Sequence, residues 1–328
     1  MKRNVKNLTL VSLIFILFVY AYTKLTFYLY EVEYSSLFKS RNSFGQKKLT
    51  LFSDCYCQKD LVHVEKFENY YEITIEHKEK SRKKQEEPYF KSYRLEKSDF
   101  ERLFFTCDLY KVLRRGPFQK VLSYSLGESN NGYFFNNIEQ KMNSAHVHYP
   151  KWVLRFYHLD TISHSYKCES VCKKNMENVF YDNIDFCNIN KLPFNLLNKW
   201  DASYVDKELW RLLPIADDFV NVFTSRSTDT CMNGEQINRD STWLKSNAIS
   251  QLILNELNEN GETLVSLLGF KNVNNRSLAR SLFSILTDKY LNNGYWSDDK
   301  MVFEQFILPV LDKNYSIQLP SQYKCVFK

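Results

Sequence analysis

Glycine and proline are scarce in this chain, with 8 and 7 residues among 328. Such low numbers argue against a fibrous protein and against a disordered one. The sequence also contains no internal repeat and no low-complexity tract. Hydrophobic residues make up 44% and aromatic residues 16%, which is ample for a packed core. The length suits one large domain or two small ones.

The sequence lacks a nucleic-acid-binding motif, although its net charge is +6. Much of that charge lies in the run from Lys78 to Lys84. A basic cluster can bind nucleic acid or an anionic membrane. Without an accompanying motif, we interpret this run as a solvated loop and expect no nucleic-acid partner.

A zinc site is not indicated, although there are 8 cysteines. Cys168-x-x-x-Cys172 resembles half of such a site, but no second pair with histidine follows at a useful spacing. An even number of cysteines favours disulfides in an oxidising compartment. Their pairing is left open, since eight cysteines allow 105 combinations. The glycan acceptor sequences at Asn275 and Asn314 fit the same compartment.

Charged residues are nearly absent from Leu8 to Tyr30, a 23-residue stretch interrupted by Lys24 alone. This length spans a bilayer, and the basic residues before it favour a cytoplasmic N-terminus. We therefore predict a cytoplasmic tail at 1–7, a transmembrane signal-anchor at 8–30 and a body facing the lumen of the Golgi or endoplasmic reticulum. The alternative is a signal peptide cleaved after Val19-Tyr-Ala21, which would make the protein secreted.

The remaining chain divides into a charged stem at 31–99 and a lumenal domain at 100–328. Within the stem, Tyr70–Ile75 is a possible strand. In the domain, helical stretches separate several strands, which indicates an α/β fold with a largely parallel sheet. The first predicted strand is 118–126, the segment 149–157 is a turn leading into a second strand, and two more strands are predicted at 184–189 and 219–223. The predicted helices are about 135–145 and 233–245. Beyond them we expect mostly helix, with apolar faces at Ile249, Leu252, Ile253 and Leu257 and at Leu278, Leu282, Ile285 and Leu286.

The segment from Leu209 to Thr230 is the most informative. An apolar helix containing Trp210 is expected to stop at Pro214, and the strand 219–223 then leads into a polar turn. Ligands of open α/β sheets bind just beyond the carboxyl ends of strands. A carboxylate there, Asp229, could hold a hard divalent cation that neutralises a diphosphate. A lone Asp in a polar loop is more often a turn residue.

Four segments together resemble a family of membrane-tethered, GT-A-type glycosyltransferase-like proteins of nematodes and other invertebrates. The segments are Leu122–Gly127, Tyr149–Tyr157, Asp185–Phe194 and Trp210–Thr230, with a weaker fifth at Phe303–Pro309.

The resemblance implies a nucleotide-sugar donor and a glycan or glycoprotein acceptor. It also implies that Ser125, Leu126 and Gly127 cradle the nucleotide and that Arg211 faces the nucleotide or the metal turn. Asp229 would be the metal ligand, for manganese or magnesium.

Several positions depart from that family. Ser227 stands where relatives have the first Asp of Asp-x-Asp, no histidine occurs in 247–269, and Gly269 replaces a glycine pair. Fewer ligand charges weaken a hard-cation site. The alternative function is therefore a non-catalytic lumenal or cell-surface binding protein on the same scaffold. No catalytic base is identified, although Asp217 and Asp218 are candidates.

Overall fold

The computed structural model describes residues 47–53, 58–77, 89–126, 133–159, 183–193, 199–226, 234–255, 264–288, 306–311 and 316–320. Its strands form a seven-stranded central sheet, a four-stranded sheet before it, and a short pair. The strands are β1 (Lys47–Phe52), β2 (Leu61–Lys66), β3 (Tyr70–His77), β4 (Tyr89–Glu96), β5 (Gln119–Ser125), β6 (Val153–His158), β7 (Ile184–Asn188), β8 (Leu192–Pro193), β9 (Lys199–Trp200), β10 (Val220–Arg226), β11 (Ser250–Asn255), β12 (Leu264–Phe270) and β13 (Ser316–Pro320).

Helices connect these strands. The α-helices are α1 (Lys97–Phe100), α2 (Leu109–Arg115), α3 (Tyr133–His148), α4 (Gly234–Lys245), α5 (Arg276–Leu286) and α6 (Leu308–Val310), and the 3-10 helices cover Ile189–Lys191, Lys207–Ala216 and Asn272–Asn274.

The central sheet has the order β13-β11-β12-β10-β5-β6-β7. Strands β10, β5, β6 and β7 are parallel, whereas β12 runs antiparallel to both β10 and β11. Every residue of β6 is buried, as expected of a parallel strand covered on both faces. The α/β class is confirmed, and the predicted parallel arrangement holds for these four strands.

Part of the range predicted as a stem is a folded sheet. Strands β1 to β4 pair antiparallel in sequence order. Strand β3, where a strand was expected, alternates between buried and half-buried residues, so one face packs on the core. Contacts between this region and the domain include a hydrogen bond from Gln58 Nε2 to the Ile184 carbonyl at 2.9 Å and one from the Tyr93 hydroxyl to the Leu113 carbonyl at 2.6 Å. The basic run 78–84 lies outside the described residues.

The helical prediction around Ile249 to Leu257 is wrong, because Ser250–Asn255 is strand β11. It pairs with β12 on one side and β13 on the other. A short apolar run buried in a sheet has no periodicity that separates it from a buried helix. The second apolar face was predicted correctly: Leu282 and Leu286 are buried on α5.

One disulfide joins Cys107, just before α2, to Cys187 on β7. The other six cysteines lie outside the described residues. The predicted membrane segment at 8–30 lies outside them as well. None of the helices in the described part of the chain is both long enough and apolar enough to cross a bilayer.

Candidate functional site

The sheet changes direction between β5 and β10. From β5 the chain adds β6 and β7 on one side, and it returns to place β10 on the other side. In register, Ser123 lies beside Ser225, and Tyr124 lies beside Arg226. The carboxyl ends of both strands therefore lie side by side, at the position where open α/β sheets have their ligand-binding crevice.

Both ligand-binding segments predicted from the sequence begin at this crevice. The first, Ser125 to Gly127, starts on the last residue of β5, and the second continues from Arg226 at the end of β10. Seven residues separate each strand from the helix that follows it, α3 or α4. Gly127 and Asp229 fall in these intervals, outside the described residues, so their predicted roles stay predictions.

Ser125 and Arg211 are brought together. The Ser125 hydroxyl oxygen accepts the backbone N–H of Arg211 at 2.8 Å and donates to the Glu208 carbonyl at 3.5 Å. The backbone N–H of Leu126 donates to the Tyr157 carbonyl at 2.8 Å. The Ser125 hydroxyl and the Leu126 N–H therefore hold the carboxyl end of β5 in place. Arg211 itself is buried, at 9% exposure. It lies in the 3-10 helix Lys207–Ala216, which covers the end of β5.

The prediction that Pro214 ends this helix is wrong. The 3-10 helix begins at Lys207 and continues through Pro214 to Ala216. The Pro214 carbonyl accepts the side-chain amide of Asn272 at 2.8 Å and the backbone N–H of Asp217 at 3.2 Å. The long-range contact with Asn272, together with the local bond to Asp217, holds the chain in a helical turn that proline would disfavour in isolation. Trp210 is buried and donates from Nε1 to the Val205 carbonyl at 2.8 Å.

Arg226 belongs to a buried polar network at the edge of the crevice. Its Nη2 donates to Asp240 Oδ2 and to the Tyr149 hydroxyl, both at 2.6 Å, and its Nη1 donates to Gln236 Oε1 at 2.9 Å. Burial alone would lower the pKa of Arg226, but Asp240 more than compensates and raises that pKa above its ordinary value. The guanidinium therefore keeps its positive charge, and the Asp240 carboxylate balances that charge inside the protein.

The network reaches two further elements. The Tyr149 hydroxyl donates to Asp240 Oδ2 at 2.6 Å, and Gln251 Nε2 on β11 donates to Asp240 Oδ1 at 2.7 Å. Gly269 lies beside Gln251 in the neighbouring strand. A Cβ at Gly269 would come within 2.7 Å of the Gln251 Cγ and 3.0 Å of the Trp243 ring. The absence of a side chain at Gly269 thus gives Gln251 and the fully buried Trp243 their space.

Asp217 and Asp218 are not at the crevice. They precede β10 and so lie at the opposite end of the strand. Asp217 accepts Arg155 Nη1 at 2.7 Å, and both side chains are fully buried. Asp218 accepts the backbone N–H of Phe104 at 2.8 Å, and burial raises its pKa. A raised pKa can mark a catalytic acid, but here it results from packing at the wrong end of the sheet.

Sequence reasoning missed the buried ion pairs. Arg155 on β6 and Asp185 on β7 each pair inside the fold, Arg155 with Asp217 at 2.7 Å and Asp185 with Arg115 at 2.8 Å. A charged residue within an otherwise apolar strand is the available signal, since a buried charge requires a partner. Among the described residues, no group of three or more His, Cys, Asp or Glu side chains could hold a metal ion.

Comparison with known proteins gives no match to a family model and none to a curated protein. The chain is similar to the solved structure of 4-diphosphocytidyl-2C-methyl-D-erythritol synthase from Anaerococcus prevotii, with a TM-score of 0.36 and 9% identity over 64% of this chain and 92% of that one.

Two further solved structures are similar at the same level. One is a glycosyltransferase involved in glycosylation of the major capsid of PBCV-1, with a TM-score of 0.32 and 10% identity over 62% of this chain and 82% of that one. The other, from Desulfovibrio desulfuricans, is assigned as a nucleotide-diphospho-sugar transferase, with a TM-score of 0.36 and 11% identity over 62% and 79%. TM-scores of this size assign no function to this chain.

Proposed function

We propose that this chain is a GT-A-like protein that binds a nucleotide-diphospho-sugar in the crevice between β5 and β10. One observation carries the proposal. Two segments far apart in the sequence, each predicted to bind part of such a ligand, begin on adjacent parallel strands where the sheet changes direction. Arg211, a third predicted contact, is joined to the same strand end.

A divalent cation fits this site only weakly. Asp240 is already committed to Arg226, Tyr149 and Gln251, so it supplies no second carboxylate. Asp229, with the hydroxyl of Ser227, would hold the cation. When bound, a cation would neutralise the diphosphate and assist its departure. Because one carboxylate replaces the usual two, we expect weak binding.

Calorimetry on the full-length chain with UDP or GDP, with and without manganese, tests the proposal. We expect weak binding that depends on manganese, strengthened by Ser227→Asp and lost in Asp229→Ala. Glu68→Ala is the matched control, since it removes one exposed carboxylate from the turn between β2 and β3. If folded Asp229→Ala binds as well as the parent, the segment 227–233 is not the cation site.

The second candidate is a non-catalytic binding protein on this scaffold. It is favoured by Ser227 and by the absence, among the described residues, of a cluster able to complete a metal site. If no variant binds either nucleotide, including Ser227→Asp, this second function replaces the first.

We further propose that the segment 8–30 anchors the protein with its body in the lumen, where a glycan or glycoprotein acceptor would be met. The charge asymmetry around that segment supports this orientation. Protease treatment of intact microsomes should spare a C-terminal tag unless detergent is added. A mature N-terminus at Tyr22 would instead show that a signal peptide had been removed.

A further inference from the structure

Asn275 is the first residue of a glycan acceptor sequence, and the structure places it directly before α5. Its side-chain oxygen Oδ1 accepts the backbone N–H of Leu278 at 2.9 Å, which caps the helix. The hydroxyl of Ser277, the third residue of the acceptor sequence, donates to the same oxygen at 2.9 Å. Both contacts use the amide oxygen, so they turn Oδ1 toward the helix and leave the amide nitrogen on the other side.

The amide nitrogen of Asn275 is available for a covalent bond. Nδ2 makes no hydrogen bond within the described part of the chain, and protein atoms do not enclose it. The surroundings are also open, since Asn274 and Ser277 are exposed and Val273 is 54% exposed. A glycan is bulky and must project from the surface, so this environment accommodates one. The other acceptor asparagine of the predicted domain, Asn314, lies outside the described residues.

The start of α5 lies at the end of the sheet opposite the crevice. Arg276, the residue after Asn275, donates through Nη1 to the Asp217 carbonyl and through Nη2 to the Val220 carbonyl, both at 2.9 Å. Val220 is the first residue of β10, whereas the crevice is at the carboxyl end of that strand. A group attached to Asn275 would therefore leave the predicted nucleotide site open.

We propose that Asn275 carries an N-linked glycan in the folded protein, and that its amide group has two roles. The oxygen caps α5, and the nitrogen bears the sugar. This inference rests on the proposed lumenal orientation, since such acceptor sequences are modified in proteins of the secretory pathway.

The modification is the transfer of an oligosaccharide from a lipid diphosphate, which is the co-reactant. The Asn275 nitrogen forms a bond to the anomeric carbon of the sugar and loses one proton. The bond from that carbon to the diphosphate oxygen breaks, and the lipid diphosphate leaves with the electron pair.

Peptide mapping by mass spectrometry, on the full-length chain produced in cultured animal cells, tests the assignment. We expect a glycan on the peptide that contains Asn275. Ser277→Ala should abolish this glycan, because it removes the hydroxyl of the acceptor sequence. Ser281→Ala is the matched control, since it removes an exposed serine hydroxyl from the same helix and should leave the glycan in place.

Two substitutions at Asn275 separate the cap from the glycan. Asn275→Asp and Asn275→Ala both remove the acceptor nitrogen, but the aspartate keeps an oxygen for the Leu278 N–H. The melting temperature of Asn275→Ala should therefore be about 2–4 °C below that of Asn275→Asp. Equal melting temperatures would overturn the dual role of the amide group.

Protease treatment of intact microsomes distinguishes the two ways in which the glycan could be absent. If the C-terminal tag is protected and Asn275 carries no glycan, the assignment of the glycan is overturned and the lumenal orientation stands. If the tag is digested without detergent, the orientation and the glycan assignment fail together.

Discussion

Ser125 and Arg211 are joined by a 2.8 Å hydrogen bond from the backbone N–H of Arg211 to the Ser125 hydroxyl oxygen, although 86 positions separate them. Both residues were predicted to contact a nucleotide. The structure shows that this bond fastens the 3-10 helix 207–216 over the end of β5. A substitution at either position is therefore expected to disturb the end of β5, whether or not the predicted contact is made.

Ser125→Ala should destabilise the protein by about 1–3 kcal/mol, because it leaves the buried N–H of Arg211 without its acceptor. Chemical denaturation followed by circular dichroism would measure the change. Ser281→Ala is the matched control. The Ser281 hydroxyl donates to a carbonyl on the exposed face of α5, so its loss should cost less than about 0.5 kcal/mol. Equal effects of the two substitutions would contradict a structural role for Ser125.

Asp217→Asn should cost about 3–5 kcal/mol, because it leaves the fully buried Arg155 without a compensating charge. Asp217 also accepts the backbone N–H groups of Thr106 and Phe219, at 3.1 and 3.0 Å. Urea unfolding would give the loss, with the exposed Asp201→Asn as the control. In the folded fraction, nucleotide affinity should match the parent. A selective loss of activity without loss of stability would restore Asp217 as a candidate base.

Gly269→Ala and Gly234→Ala should differ in effect. At Gly269 the new methyl group would meet Gln251 and Trp243 at 2.7–3.0 Å, and such overpacking costs about 1–3 kcal/mol. At Gly234, the first residue of α4, nothing lies within 4 Å, so alanine should be neutral or slightly stabilising. Melting temperatures of the two variants would test this. Equal melting temperatures would contradict this, because they would show that β12 and Gln251 can move apart without a loss of stability.

The contribution of Asp185 to stability should depend on pH. Burial would raise its pKa, but the ion pair with Arg115 outweighs burial and leaves the pKa below the ordinary value. A folded-state pKa below the unfolded one gives stability that is complete above about pH 4, the ordinary value for Asp. That stability is lost as pH falls further, through the folded-state pKa.

The stability difference between parent and Asp185→Asn should therefore be constant from about pH 5 to 7 and shrink below about pH 4. Denaturation curves measured across that range would show it. A difference that stayed constant down to about pH 2 would mean that the Asp185 pKa is not shifted by folding.

Local sequence patterns located the elements around the crevice to within a few residues. Strand β5 was predicted at 118–126 and is found at Gln119–Ser125, β10 was predicted at 219–223 and is found at Val220–Arg226, and α4 was predicted to begin near residue 233 and begins at Gly234. These predictions succeeded because apolar runs, polar loops and helix-start signals are local patterns. The α/β class followed from the alternation of such elements.

Tertiary structure alone decided the roles of the charged residues within those elements. Arg155 lies 62 positions from Asp217, and Arg226 lies 14 positions from Asp240. Neither ion pair can therefore be predicted from a local sequence pattern. The sequence predicted a helix where the structure has strand β11. A strand paired on both sides does not need to alternate between apolar and polar residues, so its pattern resembles that of a buried helix. Whether an arginine faces a ligand or a buried carboxylate depends on which side chains the fold places beside it, and burying a charge permits only a paired arrangement.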